Sequence, residues 1–158
     1  MTKLLMIHPK RCTGCRNCSL ACSFAKEHQF RPAASRVHVI SWEREGFSIP
    51  MMCQQCDDAP CVDVCPTQAL TQDKANTTVE YDKTHCIGCR MCVLACPFGN
   101  ATYDGVSGAI LKCDNCGGDP ACVAYCPTQA IEFVDDTTST RSRKRAYAAK
   151  LKAAFEEV

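Results

Sequence analysis

Sixteen cysteines fall in four runs of four along this 158-residue chain, and none is left over. The first run is Cys12, Cys15, Cys18 and Cys22, spaced C-x2-C-x2-C-x3-C, and the third, Cys86, Cys89, Cys92 and Cys96, repeats that spacing. The second, Cys53, Cys56, Cys61 and Cys65, and the fourth, Cys113, Cys116, Cys122 and Cys126, widen the middle interval to x4 and x5. Cysteine at this density is scaffold, as disulfides or as metal ligands. The compartment decides between the two. The opening stretch has only Leu4-Leu5-Met6-Ile7 as an apolar run before His8-Pro9, too short for the core of a secretory signal. No stretch approaches the roughly 18–20 apolar residues of a membrane span. A cytoplasmic location is therefore expected, where clustered cysteines favour metal over disulfides; export bound to a signal-bearing partner is the other route.

The runs resemble one another in pairs. Cys12-Thr13-Gly14-Cys15-Arg16-Asn17-Cys18-Ser19-Leu20-Ala21-Cys22 parallels Cys86-Ile87-Gly88-Cys89-Arg90-Met91-Cys92-Val93-Leu94-Ala95-Cys96, and Cys65-Pro66-Thr67-Gln68-Ala69 parallels Cys126-Pro127-Thr128-Gln129-Ala130. The order A, B, A, B reads as a duplicated two-cluster unit. Three cysteines within seven residues reach three corners of one cubane only if the backbone curls tightly. Gly14 and Gly88 suit that curl, since glycine reaches positive φ without steric cost. The curl also aims backbone N–H groups at sulfur, which raises the reduction potential. The fourth cysteine, after x3 and on a short helix leading away, does not easily return to the same cluster; in two-cluster ferredoxins it serves the other one. Proline follows it at Pro66, Pro97 and Pro127 and turns the chain. Zinc sites bring two C-x2-C pairs across a longer loop, often with histidine. The present pattern points instead to four 4Fe–4S clusters.

That expectation changes the charge. The formal net charge is +1 with every cysteine counted as a neutral thiol. Sixteen thiolates on four cores of +2 would bring it to about −7. Aromatics are only 7%, so clusters replace much of an apolar core and apo-protein should be largely unfolded. No nucleophile–base arrangement, phosphate loop or paired-carboxylate pattern stands out, which argues against a substrate site. His8, His28, His38 and His85 form no ligand spacing and read as surface or packing residues. Trp42 reads as a core or interface anchor rather than a redox relay. Arg11, Arg16, Arg90 and Lys112 adjoin cluster ligands; each either raises a cluster potential or is a solvated basic side chain.

The expected fold class is α+β: a duplicated two-cluster bacterial ferredoxin-like fold with an insert and a C-terminal helix. Residues 1–135 form the four-cluster domain, two intertwined ferredoxin-like units, with the insert at 23–52. Strands are expected at Lys3–Ile7 and Ile131–Val134, as equivalent outer strands. Hairpins are expected from Leu70–Gln72 with Thr77–Tyr81, from Ala101–Tyr103 with Ala109–Leu111, and inside the insert from Arg36–Glu43 with Phe47–Met51. Residues 136–158 form a basic tail, helical from about Arg141 to Glu157. Tyr147, Leu151, Ala154, Phe155 and Val158 line one face. That helix either packs on its own domain or docks on a partner; nucleic-acid and membrane binding are minor readings of its charge.

The order of the four runs resembles the four-cluster ferredoxin subunits of the dimethyl sulfoxide reductase and formate dehydrogenase type, over roughly residues 1–135. Two features depart from it: Cys22 is followed by Ser23 rather than proline, and only five residues separate Cys116 from Cys122. The compact form looks more like soluble anaerobic enzymes, with the small iron–sulfur subunit of tungsten-dependent aldehyde oxidoreductases as the nearest comparison. The resemblance implies a crossed ligation: Cys12, Cys15 and Cys18 with Cys126; Cys113, Cys116 and Cys122 with Cys22; Cys53, Cys56 and Cys61 with Cys96; Cys86, Cys89 and Cys92 with Cys65. It implies a wire running through sets one, four, two and three. The implied role is a non-catalytic electron-transfer subunit between a tungsten or molybdenum pterin oxidoreductase subunit and an acceptor or donor such as a flavin subunit, with self-association through the tail as a further possibility. The alternatives are a free ferredoxin, a hydrogenase-, formate-lyase- or carbon-monoxide-dehydrogenase-linked polyferredoxin, or a structural or maturation module.

Overall fold

The computed structural model describes residues 3–73 and 77–135, with Ala149 alone beyond them. The basic tail and its expected helix otherwise lie outside the described residues, as does the turn at 74–76. Four separate two-stranded antiparallel sheets carry the fold. Strand β1 (Lys3–Ile7) pairs with β8 (Ile131–Asp135), β2 (Val37–Trp42) with β3 (Phe47–Met52), β4 (Leu70–Gln72) with β5 (Val79–Tyr81), and β6 (Thr102–Asp104) with β7 (Ala109–Leu111). Every expected hairpin is present within a residue or two. The outer strands do more than mirror each other, since Lys3 lies opposite Asp135 and Ile7 opposite Ile131. Beyond β1, the His8 ring nitrogen (3.0 Å) and the Arg11 guanidinium (2.7 Å) both meet the Glu132 carboxylate. They hold that carboxyl below its usual range and lock the two ends of the described chain together.

Helices are short: α1 (Asn17–Glu27), α2 (Pro60–Asp63), α3 (Met91–Ala95) and α4 (Ala121–Ala124). The fourth cysteine of a run was expected on such a helix. Only Cys22 is; α2, α3 and α4 all stop before Cys65, Cys96 and Cys126. The cause is the following proline, whose ring excludes its predecessor from the α region; Cys96 accordingly sits at φ −75°, ψ 111°. Ser23 imposes no such limit, so α1 continues through Cys22 to eleven residues. Ser23 is fully buried, and its hydroxyl donates to the Leu20 carbonyl (2.9 Å) and accepts from the Arg31 amide (3.2 Å).

The cysteines themselves sit in the core. Cys18, Cys22 and Cys122 pack with Val37, Met52 and Ile131. Cys61 and Cys92 pack with Ala59, Leu70, Val79 and Ile110. Several bonds tie the insert to the remainder, two of them prominent. Ser19 Oγ donates to the Val37 carbonyl at 2.7 Å, and Arg31 makes a two-pronged bond to Asp104 at 2.9 and 2.8 Å. Arg31 holds the Asp104 carboxyl far below its usual range, helped by the Ser107 hydroxyl. This tie therefore acts in full above the ordinary carboxylate range and is lost as pH falls through the depressed value. Trp42 is 44% exposed and stacks obliquely on Phe47, 5.9 Å between centroids. It is a surface residue, which removes the core half of its expected role: Ile40 and Phe47 of the same hairpin are exposed with it, while Val37 and Met52 at the other end enter the core.

Candidate metal centres

Three clefts are each lined by four cysteines drawn from two runs. Cys12, Cys15 and Cys18 share one with Cys126. Cys53, Cys56 and Cys61 share one with Cys96. Cys86, Cys89 and Cys92 share one with Cys65. The remaining four are also neighbours. Burial pushes the Cys122 thiol up strongly, and the charges of Cys113, Cys22, Cys116 and then Cys18 push it further. Burial pushes Cys113 up to about 12, with Cys53 and Cys22 adding to it. The sets thus adjoin one another: Cys18 packs in one core cluster with Cys122 and Cys61 in another with Cys92, while Gln55 of run two bonds the Cys113 carbonyl and Lys112 bonds Cys53.

The local backbone explains the curl. Gly14 and Gly88 both sit at φ +70°. The arginines two residues on, Arg16 (φ 61°) and Arg90 (φ 62°), are left-handed as well and open α1 and α3. Run four makes its longer excursion through four successive residues of positive φ, Asn115, Cys116, Gly117 and Gly118. Amide groups point at sulfur throughout: Gly88 N–H to Cys86 Sγ (3.4 Å), Asn100 N–H to Cys96 Sγ (3.3 Å), Ala130 N–H to Cys126 Sγ (3.2 Å) and Arg36 N–H to Cys22 Sγ (3.3 Å). At Cys126 burial acts upward, but the Ile131 and Ala130 amides and the Thr128 hydroxyl outweigh it, and the thiol is pulled below its usual value.

These features fit iron–sulfur clusters. Four sulfur donors surround each void, and buried thiols that oppose one another's ionisation call for a cationic core between them. N–H groups directed at sulfur stabilise bound thiolate. Among the described residues no three His, Cys, Asp or Glu side chains converge at the spacing of a single metal ion.

Two residues that sequence reasoning missed link the sets. Buried Gln55 donates to the Cys113 carbonyl (2.8 Å) and accepts from the Val79 amide (3.0 Å), so it joins run two to run four and to β5. Buried Asn100 donates to the Met52 carbonyl at 2.7 Å. An amide inside or just after a cysteine run was the available signal. Of the four basic neighbours, Arg11 binds Glu132, Arg90 lies 3.7 Å over the Tyr103 ring, Arg16 is exposed, and Lys112 is buried against Cys53.

Residues 45–136 match the 4Fe-4S dicluster domain, and residues 9–25 match a 4Fe-4S binding domain. The chain belongs to the 4Fe-4S dicluster domain family. It is 41% identical over 122 residues, 77% of its length, to the polyferredoxin-like subunit of the aliphatic sulfonate oxidoreductase of Pyrococcus furiosus. It is 37% identical over 143 residues, 82% of its length, to the thiosulfate reductase electron transfer subunit PhsB of Salmonella typhi. The chain spans 70% and 74% of those two proteins, and only 29% and 22% of two longer relatives. Among solved structures it is similar to a chain of the active site complex BamBC of benzoyl coenzyme A reductase, with TM-score 0.52 and 22% identity over 98% of this chain and 92% of that one. That likeness shows a shared fold. The chain is a 4Fe–4S electron-transfer protein of the kind that serves oxidoreductase complexes, and not itself the catalytic chain.

Proposed function

We propose that the chain holds four 4Fe–4S clusters by crossed ligation and relays electrons along them in the order one, four, two, three. When bound, the clusters supply one-electron carriers. The sets would be Cys12, Cys15, Cys18 and Cys126; Cys113, Cys116, Cys122 and Cys22; Cys53, Cys56, Cys61 and Cys96; Cys86, Cys89, Cys92 and Cys65. One observation carries the reading. Cys18 packs with Cys122 and Cys61 with Cys92, and Gln55 and Lys112 bridge runs two and four beside Cys53 and Cys113, which supports that order, as do the two exposed cysteines, Cys15 and Cys89, one in each of the proposed end sets. A structural peg would need one set, with no exposed terminal ligand. Matched backbone angles at Gly14–Arg16 and Gly88–Arg90 support a duplicated origin.

The partner at one end is a catalytic oxidoreductase subunit, as the relatives' complexes suggest; the family resemblance favours a tungsten or molybdenum pterin enzyme, with aldehyde oxidoreductase the first candidate. The other end meets an acceptor or donor such as a flavin subunit. The basic tail, residues 136–158, serves as a docking element for a partner or a second copy, and the complex is cytoplasmic. Among the described residues no helix is long and apolar enough to cross a membrane. Anaerobically purified protein should carry about sixteen iron and about sixteen sulfide per chain and titrate reversibly. Zinc at about four per chain with little sulfide would end this reading, and co-purified tungsten, molybdenum or nickel would identify the partner.

A further inference from the structure

Lys112 stands apart from the other cations near the cysteines. It follows β7 directly and precedes Cys113, its side chain is only 7% exposed, and its ammonium rests on Cys53 Sγ. It lines the cleft shared by Cys53, Cys56, Cys61 and Cys96. Arg16 and Arg90 line the rims of the first and third clefts but are exposed, where solvent screens their charge. Other partly buried cations have carboxylate partners: Lys26 has Asp114, Arg31 has Asp104 and Arg36 has Glu27. Glu27 and Asp114 line a cavity that Lys112 also borders, but both are already engaged. Among the described ion pairs Lys112 has no carboxylate, and its ammonium donates to the Cys53 sulfur instead.

A buried ammonium without a counter-charge is strongly unfavourable. Among the described residues the group that its ammonium meets is the Cys53 sulfur, which ligation makes a thiolate. The geometry points to Lys112 as the fixed counter-charge of the cluster held by Cys53, Cys56, Cys61 and Cys96, raising that cluster's reduction potential above what its ligands alone would set. This rests on the cluster assignment above. The positive charge also eases the ionisation of Cys61 and Cys113, the latter in the adjoining set, so it sits where the second and fourth sets meet. Reduction adds one electron and no proton to the cluster, and a nearby buried cation favours the more negative state. Lys112 is a positioning residue for charge; it takes no part in ligation.

The test is an EPR-monitored redox titration of the intact, anaerobically prepared holoprotein as wild type, Lys112→Gln, Lys112→Met and Lys112→Arg, with iron and sulfide counted in each. In Lys112→Gln, full iron is expected with one titrating cluster at least tenfold harder to reduce, a fall of about 59 mV for one electron. Lys112→Arg should restore most of it. Loss of iron from the Gln and Met variants but not from the Arg variant also supports the role, since charge is what the first two lack. Full iron with no midpoint moved in the Gln variant overturns it. So does loss of iron from all three variants, which would make Lys112 a packing element. A wild-type protein without sulfide would instead strike at the cluster reading itself, before any variant is compared.

Discussion

Gly14 and Gly88 occupy matching places in runs one and three and share φ +70°, yet their surroundings differ. A Cβ on Gly14 would stand 2.8 Å from Ser48 Oγ, which is itself held by Ser41 Oγ at 3.0 Å, whereas a Cβ on Gly88 would meet nothing within 4 Å. Gly88→Ala should therefore cost only the left-handed strain, about 1 kcal/mol. Gly14→Ala should cost more and release its cluster faster on heating. Adding Ser48→Ala should bring it back to the level of Gly88→Ala. Unfolding monitored through the clusters' visible absorbance measures all three, and equal losses for the two glycines would show that the insert does not brace run one. The glycine's backbone role was legible from the C-x-G-C spacing. Its second role was not, because Ser48 reaches it through a hairpin whose placement depends on the whole chain. Lys112 follows the same logic: its position beside Cys113 was plain, but its burial against Cys53 depends on two runs that are distant in sequence. Gln55 and Asn100 were invisible for the same reason, being polar residues whose partners come from other elements.

At the level of elements, proline placement explains why three helices end where they do and one does not. The hairpins were readable from alternation and turn residues because each pairs with its own sequence neighbour. Helix ends were readable only once the pre-proline restriction was applied to the cysteine itself. Ser23→Pro tests this directly. It should stop α1 before Cys22, as in the other three runs, at a cost of about 3 kcal/mol or more, and detach the Arg31 amide from Ser23 Oγ. Far-UV circular dichroism should lose helix signal, and limited proteolysis should open the segment between α1 and β2. Unchanged spectra and cleavage would mean that α1 does not depend on residue 23. The unusually long first helix thus belongs with the insert: it carries Ser19 and Ser23, which hold the chain leading into β2.

For the molecule as a whole, the order of the runs along the chain differs from the proposed order of the sets in space. On the proposed ligation Cys22 closes a set whose other members, Cys113, Cys116 and Cys122, lie about ninety or more residues further along the sequence. Cys22→Ala should therefore impair the cluster of Cys113, Cys116 and Cys122 and leave that of Cys12, Cys15 and Cys18 intact. Selective isotope or EPR assignment in the holoprotein can tell them apart, and damage confined to the first run's cluster would refute crossed ligation. The four runs and their repeat were evident in the sequence, as was the ferredoxin-like architecture. Which cysteine crosses to which set was implied only by family likeness, since spacing alone does not say where a chain returns.

The pairing of β1 with β8 also bears on how such a chain is made. The contact from His8 reaches Glu132, 124 residues downstream. At about 5–20 residues per second, a ribosome needs on the order of ten seconds to deliver that partner. Throughout that interval Cys12, Cys15 and Cys18 emerge beside a strand with nothing to pair with and without Cys126. On the proposed ligation, iron delivered before Cys126 emerges would find no closed four-cysteine cleft there, so loading of the first set must wait until that residue has been made.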